Sequence, residues 1–326
     1  MNKKPIKGTN LQGSTLCLGG SGLGSTLTME QSFYLMDAYV DRGGNLIDTA
    51  QVYANWLPIE ASISEKTIGL WMKARKNRHA MIVTTKGGHP LLESMDKPRL
   101  SPEDIATDIE GSLRQLQVDT IDMYILHRDD ASQPVGAILE PLHEHRQAGK
   151  IRYFGCSNWT TRRIEEAQRY AEERGIQGFT SNQVMWSLAE ADPANFADPT
   201  LVAMDDEMNR HHVQTGLCAM PYSAQAQGLF SKWDSGAYSR DDEAISPTYR
   251  SAANWERFER ARQLASELSC SVTQIALRYL IDQPFTTLPI IGCRTPEQLQ
   301  DSLSAEDIRL TQEQLAYLDG KALVQP

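Results

Sequence analysis

Short apolar, β-branched runs alternate with longer stretches of helical period eight times along this chain. The strand-like runs are Leu16–Gly19, Asn45–Thr49, Met81–Thr85, Ile121–Leu126, Arg152–Gly155, Phe179–Gln183, Gln214–Met220 and Thr287–Ile291. Between them lie helical patterns at Met29–Arg42, Ser64–Arg75, Pro102–Leu116, Val135–Ala148, Thr161–Glu173 and Thr200–His211. After the seventh run comes a long polar stretch, Ser223–Ala253, then helices at Trp255–Leu268 and Val272–Asp282. Helices at Pro296–Leu303 and Thr311–Leu318 end the chain. A strand feeding a helix that returns to the next parallel strand is the repeating unit of α/β proteins. Eight units of roughly 40 residues suit a closed (β/α)8 TIM barrel, with a long loop after strand 7 and a C-terminal helix. An open doubly wound sheet would show the same alternation. With no linker in 326 residues, a single domain over 1–326 is expected. In a barrel, chemistry sits at the C-terminal ends of the strands.

The charge balance limits partners. With 42 acidic and 32 basic side chains the net charge is −10, which argues against nucleic acid and anionic membranes. It leaves room for an anionic cofactor, which needs only a few cations and backbone N–H groups at one spot. The five cysteines lie far apart without a C-x-x-C pair, so neither a disulfide framework nor a zinc site is expected. His143 with His145, and His211 with His212, are too close in sequence to share a helix face, so no metal is expected. Met1–Asn10 lacks the apolar core of a signal peptide and no run is long enough to span a bilayer, so the expected location is cytoplasmic.

Polar residues stand where the barrel rule says to look. Asp48 ends the second strand, with Tyr53 in the loop beyond it; Lys86 ends the third and His127 the fourth. These types combine as a proton-donating machine. Reducing a carbonyl leaves charge on oxygen, which must be protonated or held as it forms. A free tyrosine, with a pKa of about 10, is a poor acid near neutrality. An ammonium beside it favours the phenolate. Asp48 would hold Lys86 charged, and His127 could orient the carbonyl. Singly, each residue is an ordinary rim, cap or structural side chain; together at successive strand ends they are not.

The run Asn45-Leu46-Ile47-Asp48-Thr49-Ala50-Gln51-Val52-Tyr53 resembles the signature of the aldo-keto reductases, and Lys86 and His127 match the rest of that family's tetrad. The likeness extends from roughly Leu16 to Leu303. It implies Tyr53 as general acid/base, Lys86 and Asp48 as its tuning pair, and His127 as the group that orients the carbonyl. It also implies a nicotinamide cofactor, with Ser157, Asn158 and Gln183 near the carboxamide and Tyr222 against the ring. Gly20, Ser21, Gly22, Asp48, Ser223, Ala224, Gln225, Gly228 and Lys232 would line the groove. Gly292, Arg294, Gln298, Asp301 and Ser302 would hold the adenosine end. Arg294 suits a 2′-phosphate, hence NADP(H) ahead of NAD(H). Two departures stand out: Ser223-Ala224-Gln225 replaces the family's usual Ser-Pro-Leu, and Ser302 stands where Asn is common.

Competing motifs are weaker. Gly19–Gly24 lacks the G-x-G-x-x-G spacing of a dinucleotide turn, and Tyr317-x-x-x-Lys321 has no strand context. Substrate contacts are expected from Trp56, His89, Arg128 and Trp159, with Asn55, Leu57, Asp129, Asp130 and Trp186 nearby. Aromatics beside charged groups could suit a sugar, keto sugar or polyol. The expected partner is a small carbonyl or alcohol, and a homo-oligomer is compatible with the resemblance. A second reading is a cofactor-binding, redox-sensing module resembling potassium-channel β subunits, with little turnover.

Overall fold

The structure is a computed structural model and describes residues 1–321. A hairpin of β1 (Lys3–Pro5) and β2 (Gln12–Ser14) precedes the parallel strands. These are β3 (Cys17–Gly19), β4 (Leu46–Asp48), β5 (Ile82–Gly87), β6 (Ile121–Leu126), β7 (Ile151–Ser157), β8 (Ser181–Gln183), β9 (Cys218–Ala219) and β10 (Ile290–Ile291). From β3 to β9 each pairs with its sequence neighbour, and β10 pairs with β3. Backbone bonds close the remaining seam: Ala219 N–H donates to Thr286 O at 3.0 Å, Leu288 N–H to Ala219 O at 2.9 Å, and Ile290 N–H to Pro221 O at 2.8 Å. The sheet is therefore a ring, and the open doubly wound alternative is excluded.

The helices between strands are α1 (Met29–Asp41), α2 (Ile63–Arg75), α3 (Pro102–Leu116), α4 (Val135–Gln147), α5 (Thr161–Arg174) and α6 (Asp206–Thr215). Then come α7 (Leu229–Asp234), α8 (Ala252–Glu267), α9 (Val272–Ile281), α10 (Pro296–Leu303) and α11 (Gln312–Leu318). Alternate strand residues serve two cores, as a pleated strand buried on both faces requires. Leu18, Ile47, Val83 and Tyr124 join the large core shared with the helices, whereas their neighbours Cys17, Leu46, Ile82 and Met123 fill the inside of the ring. Among the described residues no helix is long and apolar enough to cross a membrane.

Four features differ from the sequence expectation. The hairpin was not anticipated; its connecting residues Ile6 and Leu11 pack among Cys17, Leu46, Ile82, Met123, Cys218 and Leu288, plugging the ring. The sixth helix starts at Asp206 and not Thr200, because Asp205 caps it through Met208 N–H at 2.7 Å and residues 198–204 are tied to the barrel mouth. That helix runs through Thr215 to a left-handed Gly216, which shortens the seventh strand to Cys218–Ala219. The polar stretch after it is not wholly loop. It folds α7, and Leu229, Phe230, Trp233, Ile245 and Tyr249 are buried.

The plug gives a direct test. Ile6 is 1% exposed. Ile6→Ala should destabilise the protein by about 2–5 kcal/mol through lost burial and the cavity left behind, read as a lower midpoint in urea unfolding.

Candidate active site at the barrel mouth

Asp48 ends β4 and Lys86 stands one residue before the end of β5, and both are 1% exposed. Burying one charge there would be costly, and geometry removes the problem by pairing them. Lys86 Nζ lies 2.7 Å from Asp48 Oδ2, 2.7 Å from Thr49 O and 2.8 Å from Tyr53 Oη. An ammonium has three N–H groups and here meets three acceptors, so none of its donors is left unpaired. Asp48 Oδ1 accepts from Gln183 Nε2 at 2.7 Å, so both carboxylate oxygens are occupied.

The titrations follow from burial and charge. Burial works against the charge on Lys86, but Asp48 and Tyr53 outweigh it and its pKa is raised. Burial pushes the Asp48 carboxyl upward against the pull of Lys86 and Gln183. We assign the ion pair, because Asp48 and Tyr53 together hold Lys86 protonated against its burial and the ammonium finds an acceptor for each of its three N–H groups. Burial also dominates at Tyr53, raising the phenol although Lys86 pulls it down. The sequence argument weighed only the ammonium; the low-dielectric site adds the larger, opposite effect. Tyr53 Oη receives a proton donor from Lys86 and stands 3.5 Å from Asp48 Oδ2, so its own hydrogen has only a weak partner.

His127 directly follows β6 and its ring centroid lies 6.1 Å from that of Tyr53. Burial, then Arg128 and Lys86, press its pKa well below the ordinary histidine range, so the ring is neutral. Its Nδ1 is buried without a hydrogen-bond partner. The edge of His89 packs against it at 4.8 Å.

A groove of about 900 Å³ opens beside Asp48 and Tyr53. Gly20, Ser21, Tyr222, Ser223, Ala224, Gln225, Gly228, Lys232, Gly292, Arg294, Gln298, Asp301 and Ser302 line it, bringing together residues from the first and the last two βα loops. Gly22, Ser157, Asn158 and Gln183 lie outside that lining. Asn158 is buried with a left-handed φ of 61°, and its amide is already engaged. Its Nδ2 donates to His127 O at 3.1 Å, and its Oδ1 accepts from Tyr222 Oη at 2.7 Å and Val202 N–H at 3.1 Å.

The expected substrate contacts divide. Trp56 is 57% exposed and His89 half-buried at the mouth. Trp159 and Trp186 are core residues and form no rim; Trp159 donates its indole N–H to Arg128 O at 3.2 Å and Trp186 stacks on Phe285. Arg128 is buried in an ion pair with Asp198. Sequence reasoning missed Asp198, Thr200 and the backbone carbonyl of Thr49, because nothing local marks a loop residue or a carbonyl as a distant partner. It also missed Glu65 at the start of α2. This side chain is fully buried, accepts from Thr85 Oγ1 at 2.6 Å, and burial pushes it up to about 7.

Comparison with known proteins identifies the family and fold that this chain resembles. The model of the Aldo/keto reductase family matches residues 15–322. The chain is 31% identical over 320 residues to "Uncharacterized oxidoreductase YrpG" of Bacillus subtilis, covering 95% of this chain and 93% of that one. It is 27% identical over 337 residues to the "Aryl-alcohol dehydrogenase [NADP(+)]" of Phanerodontia chrysosporium, covering 96% and 83%. A crystal structure of a thermostable aldo-keto reductase with the inhibitor epalrestat superposes with a TM-score of 0.74 at 23% identity, covering 99% of this chain and 100% of the other.

Two stability measurements follow. Asp48→Asn strands the Lys86 ammonium in a buried site, so a loss of about 3–5 kcal/mol is expected in urea titration, partly recovered in Asp48→Asn/Lys86→Met. Glu65 titrates from an ordinary value of 4.5 when unfolded and about 7 when folded. Its folded state holds the proton more tightly, so its contribution is greatest below 4.5 and falls as pH rises through about 7. In Glu65→Gln, melting temperature should lose that part of its decline across the same window.

Proposed function

The chain belongs to the aldo/keto reductase family, and from that membership we propose that it transfers hydride between NADP(H) and an aldehyde or ketone, or the corresponding alcohol. Residues 1–326 would act as one catalytic domain. The observation that carries this reading is the Lys86 ammonium with its three acceptors, one of them the Tyr53 hydroxyl.

The groove fits a nicotinamide dinucleotide. A Cβ placed on Gly292 would meet nothing within 4 Å, leaving its backbone open to close approach, and α10 begins just beyond it. Arg294 is exposed and has no ion pair among the described residues, so its guanidinium is available to a 2′-phosphate. Lys232 already donates to Tyr238 Oη at 3.2 Å, which leaves Arg294 the better phosphate partner. Gly20, Ser21, Tyr222, Ser223, Ala224, Gln225, Gly228, Gln298, Asp301 and Ser302 would complete the cradle. Ser157, Asn158 and Gln183 would support it from behind.

When bound, the reduced nicotinamide supplies a hydride to the carbonyl carbon. The chain's own work is at the oxygen. Tyr53 presents its weakly held hydrogen to the substrate oxygen and passes it over as negative charge develops there. Lys86, already bonded to Oη, stabilises the phenolate left behind, and Asp48 keeps Lys86 charged. The raised Tyr53 pKa is consistent with an acid that rests protonated. His127, neutral and with Nδ1 buried, would donate from Nε2 to the same oxygen. Reversed, the steps oxidise an alcohol.

For substrate, relatives named aryl-alcohol dehydrogenases and the exposed Trp56, Leu91 and Leu92 beyond β4 and β5 favour aryl carbonyls. With Trp159 in the core, the stacking platform imagined for a sugar is reduced to Trp56.

The test is NADPH oxidation followed by absorbance, with NADH in parallel, over aryl aldehydes, ketones and keto sugars. Tyr53→Phe should lower turnover at least about 100-fold. Arg294→Ala should raise the KM for NADPH about tenfold while leaving NADH nearly unchanged. Turnover unaffected by Tyr53→Phe would overturn the assignment.

A further inference from the structure

A histidine that must point in one direction is ordinarily held through its second ring nitrogen. His127 has no such hold, since its Nδ1 is buried and bonded to nothing. The polar restraint on this residue acts instead on its backbone. The His127 carbonyl accepts from Arg128 Nη1 at 2.8 Å and from Asn158 Nδ2 at 3.1 Å.

Arg128 is itself immobilised. Its Nε donates to Thr200 Oγ1 at 2.8 Å and its Nη2 to Asp198 Oδ2 at 2.9 Å, while its own carbonyl accepts from Trp159. Asp198 Oδ1 in turn accepts from Thr200 Oγ1 at 2.6 Å, making a closed triangle of side chains. The planar guanidinium is suited to this task because it offers rigid donors in three directions at once. A residue aimed at substrate would keep those directions free.

We propose that Arg128 is a positioning residue: fastened by Asp198 and Thr200, it clamps the backbone at His127 and so sets the direction of the imidazole. The inference deepens the carbonyl-reduction reading and rests on it for its kinetic consequence. The clamp also explains why the segment 198–204 is tied to the mouth and does not extend α6. Its positive charge beside the ring favours neutral imidazole as well.

The experiment compares wild type with Arg128→Met, Arg128→Lys and the double variant Asp198→Asn/Thr200→Val, using the best aryl aldehyde and NADPH. For each protein, kcat, KM, the NADPH dissociation constant by fluorescence quenching, and thermal unfolding are measured. The His127 imidazole ¹⁵N resonances are also recorded, assigned by their loss in His127→Gln. Arg128→Met should lower kcat about 10- to 100-fold with NADPH affinity within about threefold, and should shift the His127 resonances. Arg128→Lys should recover part of the rate, and the double variant should lose rate in the same direction.

A folded Arg128→Met with kcat within about twofold of wild type, or with NADPH affinity lost in parallel with kcat, would overturn the clamp. Should Arg128→Met not fold, the double variant decides: unchanged kcat and unchanged His127 resonances reject it. Tyr53→Phe on the same substrate separates the two ideas. If it stays active the reaction assignment fails, while the resonances still report on the clamp; if it is inactive and Arg128→Met is not, only the clamp fails.

Discussion

The site is organised around one buried ammonium. Lys86 sits where a bare charge would be intolerable, and its three acceptors come from three kinds of source: the carboxylate of Asp48, the backbone of Thr49 and the phenol of Tyr53. Two of these acceptors, Asp48 and Thr49, are themselves braced. Gln183 holds Asp48 from across the ring, and Gly20 N–H donates to Asp48 O at 2.7 Å. Ser64, at the start of α2, donates to Gly20 O at 2.7 Å and shares a hydrogen bond of 2.6 Å with Thr49 Oγ1. The N-terminal turn of one outer helix thus braces the ends of two strands, and Glu65 beside Ser64 reaches a third through Thr85. A charge that cannot be hydrated imposes order on everything near it.

That order is possible only because the barrel is rigid below it. The ring is closed by backbone bonds between residues 219–221 and 286–290, and its inside is filled by side chains, including Ile6 and Leu11 from the hairpin. A packed interior carries no solvent to hydrate Lys86 from beneath. The same closure brings Gly20, near the start of the chain, beside Gly292 and Arg294, near its end, in one groove.

Much of this was legible beforehand because it is periodic. The alternation of apolar runs marked all eight strands of the ring and most of its helices, and the polar residues ending three of those runs pointed to the mouth. The errors fall where periodicity is silent. The hairpin is too short to show a pattern, and Asp205 competes with Thr200 as a helix start without any local sign of which wins. Trp159 and Trp186 resemble rim aromatics until the core is seen around them.

The chain alone pointed to the family, the succession of strands and helices along the sequence and the presence of Asp48, Tyr53, Lys86 and His127, because these depend on period and on residues a few positions apart. Closure of the strands into a ring was settled by the fold. Only the folded molecule decided how those groups are charged and held. Whether Tyr53 is pushed up or down depends on the balance of burial against Lys86, and whether Arg128 meets substrate or clamps His127 depends on Asp198, 70 residues away in sequence. Desolvation and long-range hydrogen bonding are properties of neighbours in space, and a linear sequence does not contain them.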